Sequence, residues 1–333
     1  MLTIGLALAL ASGIANGLFA APMKIIPRWK WEHIWLVFIL TACLVLPALV
    51  NAAAIADPAA LWHAAPAPAR YAAIVFGFAW GFGAIFFGMS VDRLGVSLAN
   101  SLVIGLSSAL GSLVPMFLDG AMVFKPQHAL LLAGVGVFLA GVWVCGSSGR
   151  MRDRQAAAGA GAPLAGYFFA IASGILSAVF NIGYALAQPV AASGVALGYS
   201  RFAATNFIWL LMLSAGSIPN IVFCGYLIGR NRSSSLFLQG PVFATYGLSI
   251  LMGLLWAASI FLYGAATPLL GDMGPSIGWP LSLAVGLVVA NLMGWLLGEW
   301  RQAGPAPTRR MKTGILILLL AIALCALAAR ANT

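Results

Sequence analysis

Apolar runs of about twenty residues recur along the whole chain, separated by short stretches that collect proline, glycine and charge. Ten such runs can be marked, at 2–21, 34–55, 71–90, 94–118, 128–145, 165–187, 203–229, 241–267, 274–298 and 313–329. Runs of this length suit α-helices crossing a hydrocarbon core of ~30 Å. The alternation of a membrane β-strand is absent. The pattern therefore predicts an all-α membrane protein with ten transmembrane helices. Composition points the same way: 62% of the residues are hydrophobic and 7% are charged, a balance that no water-soluble domain accommodates. The first run has no basic residue ahead of it and leads into similar runs, so it is expected to stay as a helix and not to be cleaved as a signal peptide.

Charge then orients the chain. The net charge is +10, which in a soluble protein would suggest nucleic acid. Here the basic residues sit in the loops, and no nucleic-acid partner is expected. The odd-numbered connections hold 13 Lys and Arg residues and the even-numbered ones hold 3. That bias places the odd connections in the cytoplasm and both termini outside. The low-complexity connection at 146–164 reads as a flexible cytoplasmic linker between two halves, 1–145 and 165–333. Each half has five runs. Five is odd, so the second half enters the membrane in the opposite sense.

Weak internal similarity supports that division. Ala11-Ser12-Gly13-Ile14 recurs as Ala172-Ser173-Gly174-Ile175, and Gly77-x-x-Trp80 matches Gly253-x-x-Trp256. Gly88 pairs with Gly264 and Gly95 with Gly271. The expected architecture is an inverted 5+5 repeat, common among alternating-access transporters, with a site near the midplane.

Polar side chains inside apolar runs are the candidates for chemistry. An amide in hydrocarbon is costly unless paired, so it faces the bundle interior. Asn16, Asn100, Asn181, Tyr184, Gln188 and Tyr263 are placed this way, with Trp80, Phe86, Trp256 and Trp279 among them. Each amide fits either an interhelical hydrogen bond or a cavity that binds hydroxyl groups. Aromatic faces against C–H groups and amides for hydroxyls would suit a sugar. Trp29, Trp31, Trp35 and Trp300 flank charged loops and are expected as interface anchors. No acidic residue lies near the middle of a run, so proton coupling has only end-of-run candidates: Lys24, Asp92, Asp272 and Glu299. The four cysteines lie in apolar runs and form no CxxC, so neither disulfides nor a metal site is expected. No Walker A or HExxH sequence occurs, no cofactor is implied, and the chain is not expected to be an enzyme.

Specific motifs go further. Ala21-Pro22-Met23-Lys24, Trp29-x-Trp31-Glu32-x-x-Trp35, Trp80-Gly81 followed by Gly88, Leu94-Gly95 with Ser97, Ile277-x-Trp279 and Gly298-Glu299-Trp300-x-x-Ala303-Gly304 resemble the L-rhamnose–proton symporter family of the drug/metabolite transporter superfamily. The resemblance covers roughly 10–305. It implies ten helices, periplasmic termini, a bacterial inner-membrane location, and import of a small deoxy sugar by proton symport. The chain departs from the family at Phe82-Gly83-Ala84-Ile85-Phe86-Phe87 and Met273-Gly274-Pro275-Ser276, where the family is more polar. A drug/metabolite-type exporter, or an uncoupled facilitator for a more apolar solute, therefore stays open as the alternative. Oligomeric state is not readable from the sequence.

Overall fold

The structure is a computed structural model. It describes residues 1–94, 96–118, 125–156 and 164–332, without the side chains of 91, 92, 96–98, 118, 153–156 and 332. Gly95 and the side chain of Ser97, both quoted above, lie outside this set. The described residues form helices and no strand. Ten of these helical segments are long and apolar enough to cross a membrane. They are span 1 (Leu2–Ile25), span 2 (Trp31–Ala54), span 3 (Ala67–Ser90), span 4 (Ala99–Phe117), span 5 (Pro126–Arg152), span 6 (Leu164–Ala196), span 7 (Arg201–Arg230), span 8 (Val242–Leu269), span 9 (Gly274–Leu296) and span 10 (Pro305–Ala331). Each expected run falls on one of them. The stretch expected as a linker begins as helix, because the helix of span 5 continues through Ala156. Residues 157–163 lie outside the described set.

Several spans are broken, and proline explains where. The helix of span 1 ends at Leu18 and resumes as a 3₁₀ turn, Ala21–Ile25, that contains Pro22. Span 6 is interrupted after Leu186 and restarts at Gln188–Ala196 with Pro189 in its first turn. Span 2 carries a π-turn at Leu40–Val45 just ahead of Pro47. A proline has no N–H to give the preceding turn, and widening that turn is one way to absorb the loss.

Packing is dominated by a few pairs. Span 1 lies against spans 8 and 9, and span 6 lies against spans 3 and 4. Span 2 packs on spans 7 and 8, and span 7 packs on spans 2 and 3. Spans 5 and 10 pair mainly with each other at one edge of the bundle. Small residues let these helices approach closely. A Cβ on Gly13 would stand 2.5 Å from Val285 Cβ and 2.7 Å from Ser282 O; one on Gly174 would stand 2.7 Å from Leu106 Cβ.

Two tryptophans differ from expectation. Trp29 and Trp35 are buried core residues and not interface anchors. Trp29 packs edge-on against Phe237 and Tyr246. Trp35 donates its Nε1 hydrogen to Asn220 Oδ1 at 3.0 Å. Trp29, just ahead of the helix that starts at Trp31, is covered by Phe237 of the span 7–8 loop, and Trp35, on that helix, is covered by span 7; burial outweighs the usual preference of Trp for the interface.

Close packing yields a testable contrast. Gly13→Ala forces its neighbours apart and is expected to cost about 2 kcal/mol. Gly247, whose Cβ would meet nothing within 4 Å, is expected to accept alanine with no loss of stability. Thermal unfolding of the detergent-solubilised protein, followed by tryptophan fluorescence, compares the two.

Candidate substrate site

The ends of spans 1, 5 and 9 and the starts of spans 4 and 10, which flank odd-numbered loops, meet around one end of the bundle, and the even-numbered loops after spans 2 and 6 meet through Asp57 N and Tyr199 Oη. Between them is a cavity of about 220 Å³, far larger than one water requires. Its aromatic side is built by Trp80 of span 3 and Trp256 of span 8. Their rings stack at 5.3 Å with an interplanar angle of 13°. Phe180, Tyr263 and Trp279 extend this surface. Its polar side carries Asn16 and Asn100 together with Ser12, Ser107, Ser177, Ser259 and Ser282. Ser12 Oγ lies 2.8 Å from Ser282 Oγ and 3.3 Å from Ser259 Oγ, joining spans 1, 9 and 8. Among the described residues, no charged side chain lines this cavity.

Six of the ten residues expected to bind substrate thus meet around one space: Asn16, Asn100, Trp80, Trp256, Tyr263 and Trp279. Asn181 and Tyr184 stand behind it. Asn181 Nδ2 donates to Gly111 O at 2.7 Å and to Pro275 O at 3.1 Å, and its Oδ1 accepts from the Tyr263 hydroxyl. Tyr184 Oη lies 2.6 Å from Thr267 Oγ1, and its ring stacks on Trp209 at 4.3 Å. Trp279 Nε1 donates to Ser107 O at 3.1 Å. These groups tie spans 4, 6, 8 and 9 together on the even-loop side of the cavity. Gln188 is farther toward that end. It donates to Tyr184 O and accepts from Arg201. Phe86 also stands away from the cavity, packed on Phe169 at 5.6 Å; its neighbour Phe87 takes the lining position.

Asn16 and Asn100 differ from the other amides. Neither makes a side-chain hydrogen bond to any described residue, although both line the cavity. Buried polar groups are normally paired, so these two amides face the space with donors and acceptors free for a solute. The serines were not among the residues expected to bind substrate. One signal was present: the repeat that pairs Ser12 with Ser173 also pairs Asn16 with Ser177, and both members of the second pair line the cavity.

A second cavity of about 180 Å³ lies toward the odd-loop end. Asn100 lines both. Here Lys24 is ion-paired with Glu299, and Arg152 Nη1 approaches Glu299 Oε2 at 3.2 Å. Of the remaining coupling candidates, Asp272 is exposed at the even-loop end. The Asp92 side chain lies outside the described residues.

The letters Gly274-x-Ser276-x-Gly278 match the spacing of a hydrolase nucleophile elbow. They open the helix of span 9 with no strand before it, and Ser276 Oγ is buried without a hydrogen-bond partner. Among the described residues nothing activates it as a nucleophile.

The family described as L-rhamnose-proton symport protein (RhaT) matches residues 1–331. The chain belongs to this family. Its relatives include the L-rhamnose-proton symporter of Cronobacter sakazakii, 26% identical over 96% of each chain. That of Escherichia coli K12 is 24% identical over the same share. A solved crystal structure aligns over 98% of this chain and 97% of its own with a TM-score of 0.62. At 17% identity it shows likeness of fold alone.

The two kinds of amide should behave differently. Asn181→Ala removes the partner of Tyr263 in a buried network and is expected to cost about 2–3 kcal/mol. Asn16→Ala and Asn100→Ala break no protein hydrogen bond and should each cost less than about 0.5 kcal/mol. Thermal unfolding in detergent measures all three.

Proposed function

We propose that this chain imports L-rhamnose together with a proton, by opening one midplane cavity to the two sides of the membrane in turn. The observation that carries the reading is the cavity's chemistry. The unpaired amides of Asn16 and Asn100 and a set of serine hydroxyls face tryptophan rings, and no charged side chain among the described residues lines the space. A deoxy sugar presents the complement: hydroxyls on its edges, C–H faces and a methyl group, and no ionised group. Membership of a proton-symport family favours this over an exporter or an uncoupled facilitator, and over catalysis.

The inverted 5+5 repeat belongs to the same proposal, with halves at 1–145 and 165–333. The packing supports it. Exchanging spans 1–5 with spans 6–10 maps the contacts of span 1 with spans 8 and 9 onto those of span 6 with spans 3 and 4. It also maps span 2 against span 8 onto span 7 against span 3. Matched glycines meet matched neighbours: Gly13 faces Val285, and Gly174 faces Leu106. Trp80 and Trp256, paired by sequence, lie face to face. This arrangement is of the drug/metabolite transporter kind and suits alternating access. The Lys and Arg bias supports a bacterial inner-membrane orientation with the odd loops in the cytoplasm and the termini in the periplasm.

Labelled L-rhamnose uptake in cells lacking their own permease tests the reading. Uptake should occur and should be abolished by a protonophore. Absence of uptake by a folded, membrane-inserted protein would refute it. Trp80→Ala and Trp256→Ala should each lower uptake about tenfold or more, the worth of a lost aromatic face. Trp143, which is 64% exposed on span 5, should tolerate alanine within about twofold.

A further inference from the structure

We propose that Glu299 binds the co-transported proton, and that the Lys24–Glu299–Arg152 cluster is the closure this proton opens. The inference rests on the symport reading above.

A proton-coupled carrier needs a group that both gains a proton and is reached from the substrate path. Among the described residues, one carboxylate meets the second condition. Glu299 lines the odd-loop cavity, and Asn100 lines that cavity and the midplane one. The other described acids are engaged or remote. Glu32 accepts from Asn231 Nδ2 at 2.9 Å, Asp57 caps the helix Pro58–Ala64 through Ala60 N, and Asp272 is exposed. The histidines line neither cavity.

The backbone holds Glu299 in place. The helix of span 9 ends at Leu296, and Gly298 takes φ +82°. Gly298 N donates to Trp295 O, and Glu299 N donates to Gly294 O at 2.9 Å. This pair of bonds is a Schellman C-cap, which needs a residue free to adopt the left-handed region. It turns the chain back so that Glu299 sits over Gly294, where an added Cβ would stand 3.0 Å from Glu299 Oε2. Lys24 reaches the carboxylate from the end of span 1 and Arg152 from the end of span 5. Arg301, on the same turn as Glu299, is exposed. Among the described residues, no further charged side chain lines this cavity.

One carboxylate thus holds two cations from two other spans. Its protonation consumes one proton, leaves a neutral carboxylic acid and cancels both attractions. Lys24 and Arg152 then repel each other across a neutral acid, and the end of span 1 separates from spans 5 and 9. The proton leaves to the odd-loop side, and the carboxylate re-forms the closure. Among the described residues the even-loop closure has no such group: it is built by Asn181, Tyr263, Tyr184, Thr267 and Trp279. The described residues therefore place a carboxylate at one closure and none in the other.

Proteoliposomes separate this proposal from the reading beneath it. Wild-type protein should accumulate L-rhamnose under an inward proton gradient and should carry protons inward when the sugar is added. Failure of both would overturn the symport reading itself. Given a coupled wild type, Glu299→Gln should lose sugar-driven proton entry and at least tenfold of the accumulation. Counterflow of labelled for unlabelled L-rhamnose reports whether the variant still folds and binds. Retained coupling in Glu299→Gln, or its loss in Asp92→Asn alone, would overturn the assignment. If Glu299→Gln fails to fold, Lys24→Met provides the second test. With one cation removed, the carboxylate holds its proton to higher pH. The pH at which accumulation falls to half should then rise by about one unit; an unchanged midpoint would overturn the proposal.

Discussion

A side-chain amide inside a lipid-embedded bundle must find a partner, because no water is there to supply one. Five asparagines of this protein give their amide N–H groups a protein acceptor, while the Oδ1 atoms of Asn51 and Asn206 are buried without a partner among the described residues. Asn51, Asn181, Asn206, Asn220 and Asn291 each donate to a main-chain carbonyl, three of them on another span. Asn16 and Asn100 do not. The exception falls on the two amides that face open space, and it defines the site. Everything else in the centre is arranged around keeping that space apolar on one side and hydroxyl-lined on the other. Close glycine contacts bring the helix axes near enough for serines 12, 259 and 282 to touch across three spans.

The two ends of the central path are closed by different chemistry. Toward the even loops the closure is a neutral hydrogen-bonded network centred on Asn181 and Tyr263. Toward the odd loops it is ionic, with Glu299 between Lys24 and Arg152. Under the proposed repeat, the positions of the first half matching Asn181 and Tyr184 are Ala20 and Met23. Those residues cannot build a matching network, and ion pairing takes over the role there. A gradient of protons acts on one closure and leaves the other to respond to the sugar.

Much of this was legible in the chain. Ten apolar runs fixed ten spans, because length and hydropathy are what a bilayer selects. Polar residues within those runs pointed to the interior, and the offset between Trp80 and Trp256 marked a pair that proves to be stacked. What was not legible was pairing. Sequence does not say that Asn181 is satisfied and Asn16 is not, since that depends on which backbone carbonyl each reaches after packing. Serines escaped notice because hydroxyls are common in membrane helices and usually bond their own helix. Trp29 and Trp35 sit beside charged loops, the ordinary place for interface anchors, and only contacts between distant elements bury them: Phe237 and Tyr246 against Trp29, Asn220 against Trp35. Lys24 and Glu299 meet although they stand at opposite ends of the chain.

The central claim is that the sugar occupies the space between the unpaired amides and the tryptophan pair. Ser177 lines that space and makes no side-chain hydrogen bond to a described residue; the four native cysteines are buried. A Ser177→Cys variant that still transports can be labelled with a small thiol reagent in the presence and absence of L-rhamnose. The account predicts that L-rhamnose slows labelling at this position in a saturable way, with half-protection at the concentration that half-saturates uptake. Labelling at an unchanged rate in a transporting variant would contradict it.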